Sequence, residues 1–179
     1  ARYGMAALHH GPDLFMDALR KHGPAPGAKT MLTWEKEAAE HSMQTDLYIT
    51  WVGKDGTECT RIRPASTCFC GHAYSQHTIK LMKNDYPCKK CSCRRFDYIP
   101  SRPEECGEWW LVRRKGFDVS QYKAKCKCGH SHLQHHPTYK TCRACSCGQF
   151  NSAFLCVACD THSEDHETVW ETLDERKLA

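Results

Sequence analysis

Two stretches of the chain repeat the same residues at the same spacing. Residues 68–96 read CFCGHAYSQH, ten residues, then CKKCSCRRF; residues 126–150 read CKCGHSHLQH, six residues, then CRACSCGQF. Cys68, Cys70, His72, His77, Cys88, Cys91, Cys93 and Phe96 match Cys126, Cys128, His130, His135, Cys142, Cys145, Cys147 and Phe150. Only the connecting loop differs in length, so the repeat is an internal duplication of one ligand-bearing unit. Thiolate and imidazole are the preferred partners of zinc, which takes four of them in a tetrahedron at about 2.0–2.3 Å. The chemistry these residues suit is metal chelation.

A weaker third copy follows. Cys159 and His166 are separated as Cys70 and His77 are, and Cys156 precedes Cys159 by one residue more than Cys68 precedes Cys70. Thr161 stands where the other copies carry His72 and His130. A shared Cys-x6-His core leaves those two histidines either hydrogen bonding around the metal or ligating a second ion. Cys88-x-x-Cys91 and Cys142-x-x-Cys145 have the spacing of a knuckle presenting two sulfurs to one ion. The C-x-C pairs are wide for one ion unless the backbone turns, which Gly71 and Gly129 permit. The upstream sets (Cys68, Cys70, His77; Cys126, Cys128, His135; Cys156, Cys159, His166) and the downstream sets (Cys88, Cys91, Cys93; Cys142, Cys145, Cys147) supply ligands for about three zinc ions. A fourth needs Cys59, His72, His130 or another residue. The pairing of ligands to ions stays open, including a cross-brace between modules.

Fourteen cysteines is an even number, so a disulfide framework is the alternative. Clustering in C-x-C and C-x-x-C, histidines at fixed offsets and the lack of a secretory signal all favour metal in a reducing, cytoplasmic setting. The chain opens on Ala1 rather than Met, as a processed or partial chain does. Composition leads the same way. Fewer than one in six of the 179 residues is Leu, Ile, Val or Phe, too few for an ordinary core, while the net charge is only +4. Cross-links must supply the missing stability. No apolar run reaches the ~18 residues of a membrane helix.

Catalytic readings fail on their own motifs. Pro87-Cys88-Lys89-Lys90-Cys91 imitates the PCxxC of zinc deaminases, but no H-x-E precedes it. His166-Glu167 begins an HExxH, yet Trp170 takes the place of the second histidine. The spacing also makes no convincing RING. The expectation is therefore a non-enzyme whose zinc is structural.

Around these ligands the sequence predicts a small, metal-stabilised, irregular α+β fold. Residues 1–46 form a helical leader, with one helix over 12–22, a Gly/Pro linker and a second helix over 33–44 capped by Thr30 or Thr33. Residues 47–179 form a tandem zinc-binding domain: module 1 at about 64–100, module 2 at about 122–151, and a half-module with a helix at 152–179. The β-branched and aromatic run 47–52, the turn 53–56 and the return 57–63 predict a hairpin feeding module 1. Strands are expected at 96–99 and 108–114. Ser163 is expected to cap a helix over 163–177 that sets His166, Trp170 and Leu173 on one face.

From Trp51 onward the sequence resembles the "family with sequence similarity 221" proteins. The resemblance rests on CFCGHAYSQH, PEECGEWWLVRRKGFD, CKCGHSHLQH and the closing Cys156-x-x-Cys159 with HETVWET. It implies a Cys/His-rich, zinc-binding protein of ciliated eukaryotes with no assigned catalytic activity. It also implies that Cys59 is an extra ligand and that Cys106 is not one. The family's distribution implies a flagellar or axonemal scaffold with tubulin or other axonemal proteins as partners.

Nucleic-acid binding is the rival. Arg113-Arg114-Lys115 with Lys123, Lys125 and Lys127 lie near Trp109 and Trp110, a mixture suited to phosphate contact and base stacking. Thiolates bound to zinc draw the net charge from +4 towards zero, which weakens a broad electrostatic footprint. The bland alternative is a solvated strand face with its aromatics turned inward. An acidic protein lattice such as tubulin suits the basic stretch equally, and a scaffold role ranks first.

Overall fold

The computed structural model describes residues 17, 20–23, 27–78 and 86–178. Its regular part is small: helix α1 (Ala28–Thr45), a three-stranded antiparallel sheet of β1 (Leu47–Gly53), β2 (Glu58–Arg61) and β3 (His166–Thr172), and helix α2 (Leu173–Leu178). The sheet order is β2-β1-β3. The hairpin forms where the β-branched run predicts it, with Trp51 opposite Thr60 and a bulge between Trp51 and Val52. The helix expected over 12–22 lies largely outside the described residues.

α1 starts a turn earlier than expected. Gly27, at φ 85°, occupies its N-cap without a side-chain hydrogen bond, and Thr33 lies inside, donating its hydroxyl to the Lys29 carbonyl. Only Ala38 and Ser42 of this helix are buried. Ion pairs Arg61–Glu35 at 2.7 Å and Arg63–Glu37 at 3.0 Å tie it to the hairpin, with the Arg63 guanidinium 4.8 Å from the Trp34 ring centroid. Charge and cation–π contacts take the place of an apolar seam here.

Two sequence expectations are corrected. The segment 163–177 is not one helix: Ser163 opens a single 3₁₀ turn (Ser163–Asp165), then His166–Thr172 is β3, and only Leu173–Leu178 is helical. Thr168, Val169, Trp170 and Thr172 favour a strand, and β1 offers a full antiparallel ladder from Leu47 opposite Thr172 to Gly53 opposite His166. His166 and Trp170 still share a face, because a spacing of four is even on a strand. The second correction concerns 96–99 and 108–114. The first makes only an isolated bridge, Cys68 to Tyr98, and the second folds into a 3₁₀ turn, Leu111–Arg113.

Between β2 and β3 the chain is held by repeated single bridges rather than by sheets. Thr67–Ala73, Cys68–Tyr98 and His77–Cys88 in the first module recur as Lys125–Ser131, Cys126–Ser152 and His135–Cys142 in the second. The duplication in sequence is thus a duplication in backbone pairing. Two apolar clusters surround it. One joins Leu47, Ile49, Trp51 and Ile62 of the hairpin to Tyr74, Tyr86, Phe96 and Tyr98, and includes Cys68, Cys93 and Cys156. Trp170 of β3 stacks on Tyr86 at 3.7 Å. The other holds Phe69, Ile99, Ala124, Cys126 and Phe150. Phe69 leaves module 1 to pack edge-on against Phe150 at 5.1 Å, fastening the modules together.

Gly71 and Gly129 make the turn between the paired sulfurs and the inner histidines, at φ 88° and 86°. A Cβ at Gly71 would stand 2.6 Å from Leu133 Cδ2, whereas nothing lies within 4 Å of one at Gly129. Leu133 is the end of a flexible, exposed side chain and can yield, so the left-handed backbone dominates at both sites. Gly71→Ala and Gly129→Ala are each expected to cost about 1–2 kcal/mol in thermal melts of the metal-loaded protein. A variant that melts with the parent would refute the turn's role.

Candidate metal centres

Among the described residues, five groups of four ligand atoms come together, and every one is three cysteines and one histidine. They are Cys68, Cys70, Cys93 with His77; Cys70, Cys88, Cys91 with His72; Cys126, Cys128, Cys147 with His135; Cys128, Cys142, Cys145 with His130; and Cys59, Cys156, Cys159 with His166. In each group the donor atoms lie within 4.8 Å of one another. Every candidate ligand named from the sequence falls in a group, including His72 and His130 and the cysteine implied only by resemblance, Cys59. Among the described residues no group mixes the two modules, so the donors of each module gather within it rather than across a brace between modules. The downstream triplets are split: Cys93 and Cys147 turn back to the upstream set, while the knuckle pairs join the inner histidines.

The spacings fit an ion at each centre. For a tetrahedral ion with bonds of about 2.3 Å to sulfur and 2.0–2.1 Å to nitrogen, the edges are roughly 3.8 Å between sulfurs and 3.5 Å between sulfur and nitrogen. Cys68 Sγ and Cys93 Sγ are 3.9 Å apart, as are Cys126 Sγ and Cys147 Sγ. Cys70 Sγ is 3.8 Å from His77 Nε2, and Cys128 Sγ is 3.7 Å from His135 Nε2. Cys159 Sγ and Cys59 Sγ stand 3.2 and 3.5 Å from His166 Nε2. All fourteen cysteines are free, and 3.9 Å is nearly twice a disulfide bond of about 2.05 Å.

Each outer histidine is oriented by the same device. The Nδ1–H groups of His77, His135 and His166 donate to the carbonyls of Ala73, Ser131 and His162 at 3.0, 2.9 and 2.8 Å. That bond fixes the tautomer and leaves Nε2 with a lone pair facing the sulfurs. A 3₁₀ turn between the carbonyl and the ring sets the distance in all three copies, over Tyr74–Gln76, His132–Gln134 and Ser163–Asp165. The inner histidines work from the other nitrogen: His72 Nδ1 and His130 Nδ1 each lie 3.5 Å from the paired cysteine. The matched phenylalanines have a role too, since Phe96 and Phe150 press edge-on against His77 and His135 at 5.3 and 5.2 Å.

Backbone amides support the sulfurs. Asp97 and Asn151 donate to Cys68 and Cys126 at 3.3 Å, and Lys90, Ala144 and Ala158 donate to the first cysteine of each Cys-x-x-Cys at 3.4 Å. Such donors favour thiolate over thiol. The thiols of Cys68 and Cys70 hydrogen bond to Cys93 and hold it well below the ordinary thiol range, while Cys70, bonded to Cys68 and Cys93, is pushed far above it. Burial, then the Cys159 and Cys156 sulfurs, push Cys59 up. Sulfurs this close ionise together only with a cation among them. Cys106 belongs to no group; burial raises its thiol to about 12.

The third candidate group draws two of its four residues from the sheet. Cys59 comes from β2 and His166 from the first residue of β3, opposite Gly53 on β1. The His166 ring stacks on Trp51 at 3.8 Å. Where the modules place an inner histidine, Thr161 sets its hydroxyl 3.1 Å from Cys159 Sγ. The local sequence suggests a helix at His166, and the strand register that delivers it to the centre is set by β1. The ninety-odd residues between Cys59 and Cys156 hid their meeting altogether.

A family profile described as "Protein FAM221A/B" matches residues 22–179. Among curated relatives, human Protein FAM221B is 46% identical over 153 residues, covering 82% of this chain and 38% of that protein. Rat Protein FAM221A is 31% identical over 153 residues, covering 80% of this chain and 46% of that protein. The chain therefore spans less than half the length of these relatives. No solved structure matches it.

Proposed function

The chain belongs to the FAM221 family, and from that premise we propose that it is a non-catalytic scaffold protein whose zinc ions are structural. One observation carries this reading: each donor group is a complete Cys3His set. A set of that kind closes the coordination sphere and leaves no position for a substrate or an activated water. The donors are soft and tetrahedrally spaced, which selects zinc over magnesium or calcium. Among the described residues no helix is long and apolar enough to cross a membrane.

The partner is a protein surface of acidic character, such as the tubulin lattice of an axoneme in the cytoplasm or cilium. Trp109 and Trp110 are 45% and 50% exposed, in the turn that leads into the 3₁₀ turn Leu111–Arg113 rather than on an inward-facing strand, with the Arg113 guanidinium 5.3 Å from the Trp109 ring centroid. Half-exposed tryptophans beside Arg113, Arg114 and Lys115 make an anchor for an acidic partner. The same patch could stack on single-stranded RNA. Thirteen thiolates against five divalent ions bring the formal charge from +4 to about +1, which disfavours phosphate tracking over a broad face. Co-sedimentation with microtubules in moderate salt, beside retention on single-stranded RNA in the same buffer, tests the choice. Trp110→Ala is expected to lower microtubule binding several-fold. Retention on RNA without microtubule binding would put the nucleic-acid reading first.

A further inference from the structure

We infer that each module holds a two-ion cluster in which a single thiolate, Cys70 in the first and Cys128 in the second, bridges both ions. This rests on the structural-zinc reading and goes beyond it in stoichiometry and in kind. Module 1 brings seven donors together: Cys68, Cys70, His72, His77, Cys88, Cys91 and Cys93. Two four-coordinate ions need eight positions, so one donor must serve twice. The geometry names it. Cys70 is the one residue common to the two groups of module 1, and Cys128 the one common to the two of module 2.

The bridging sulfur is flanked by a histidine from each ion's set. Cys70 Sγ is 3.5 Å from His72 Nδ1 and 3.8 Å from His77 Nε2; Cys128 Sγ is 3.5 Å from His130 Nδ1 and 3.7 Å from His135 Nε2. All four distances, 3.5 to 3.8 Å, are close to the tetrahedral sulfur–nitrogen edge of about 3.5 Å. The five-residue interval between the two histidines of each module, spanned by a 3₁₀ turn, lets one ring present Nδ1 and the other Nε2 to the same sulfur.

The third centre shows what the cluster needs. Its Cys159 is the counterpart of Cys70, but Thr161 replaces the inner histidine and sets its hydroxyl 3.1 Å from that sulfur. It also lacks a second Cys-x-x-Cys, since its own is spent on the first ion. One ion fits there, and five fit the described residues: two bridged pairs and one alone.

The full chain reconstituted with ¹¹³Cd under reducing conditions tests this directly. Native mass spectrometry is expected to count five cadmium ions. Cadmium NMR is expected to give five resonances, two pairs showing scalar coupling through the shared sulfur and one resonance uncoupled. Cys70→Ser removes one coupled pair's cross-peak and leaves the other; Cys159→Ser removes only the uncoupled resonance. Three ions with no coupling, or five without it, would overturn the bridge while leaving structural metal intact. No bound metal would overturn both. The coupling in the parent protein decides the matter even where a variant fails to fold.

Discussion

Excess EDTA under reducing conditions is expected to unfold the described region from β1 to β3 in one cooperative step, with refolding on adding zinc back. The ligand sulfurs are not appended to a core; they are part of it. Cys68, Cys93 and Cys156 sit within the cluster that includes Ile49, Trp51 and Phe96, and Cys126 within that of Phe69 and Phe150. A structural zinc site contributes on the order of 10–16 kcal/mol at neutral pH, against a typical net stability of about 5–15 kcal/mol for a domain. Removing all the ions together therefore exceeds what the few aliphatics can hold. The sheet goes with the modules because Cys59 and His166 clamp its two outer strands. Far-ultraviolet circular dichroism with fluorescence of Trp51 and Trp170 reads the transition. A signal unchanged by chelation would sink the metal-stapled account.

Acid is expected to act in the same direction. Protons compete with metal for every thiolate and imidazole. His132 adds its own contribution: burial pushes its imidazole down to about 4, whereas an unfolded histidine titrates near 6.5. The unfolded state takes up that proton first, so this part of the stability is present above pH ~6.5 and is lost as the pH falls towards 4. Melting temperature measured across that interval should fall steadily.

The candidate ligands are legible because coordination chemistry restricts residue type and spacing more tightly than packing does. A duplicated set of cysteines and histidines announces itself without any knowledge of the fold. The grouping was not legible, because it depends on where Gly71 and Gly129 turn the chain and on how the knuckle pairs face the inner histidines. His72 and His130 looked secondary only because the third copy lacks them, and that copy is the exception rather than the pattern. The sequence of β3 suggests a helix because caps and terminal charges suit one: Ser163 before it, Glu164 and Asp165 at its start, Arg176 and Lys177 at its end. Those signals belong to two short elements on either side of the strand. What decides His166–Thr172 is an open edge of β1, and an edge a hundred residues away leaves no mark on the local sequence. Cys59 was weak for the same reason: alone in β2, its ligand role exists only once the sheet has formed.

Single substitutions should separate ligand sulfurs and nitrogens from the bystander. His135→Ala removes the Nε2 donor, the Nδ1–H bond to the Ser131 carbonyl and the edge contact with Phe150 together. Losing only a residue that orients a ligand costs 10–100-fold in metal affinity, about 1.4–2.8 kcal/mol, so losing the ligand itself should cost ~3 kcal/mol or more. Cys59→Ala is expected to cost a similar amount by a different route, freeing β2 from the third centre and reducing the bound metal by one ion while both modules keep theirs. Cys106→Ala deletes a half-buried thiol that behaves as a small hydrophobe and should cost about 1 kcal/mol with the metal count unchanged. Metal counts and melting temperatures on the three variants, set beside the parent, give the ranking. Equal losses at Cys59 and Cys106 would mean that the third centre is a crowded corner of the core and not a binding site, because burial alone treats the two thiols alike.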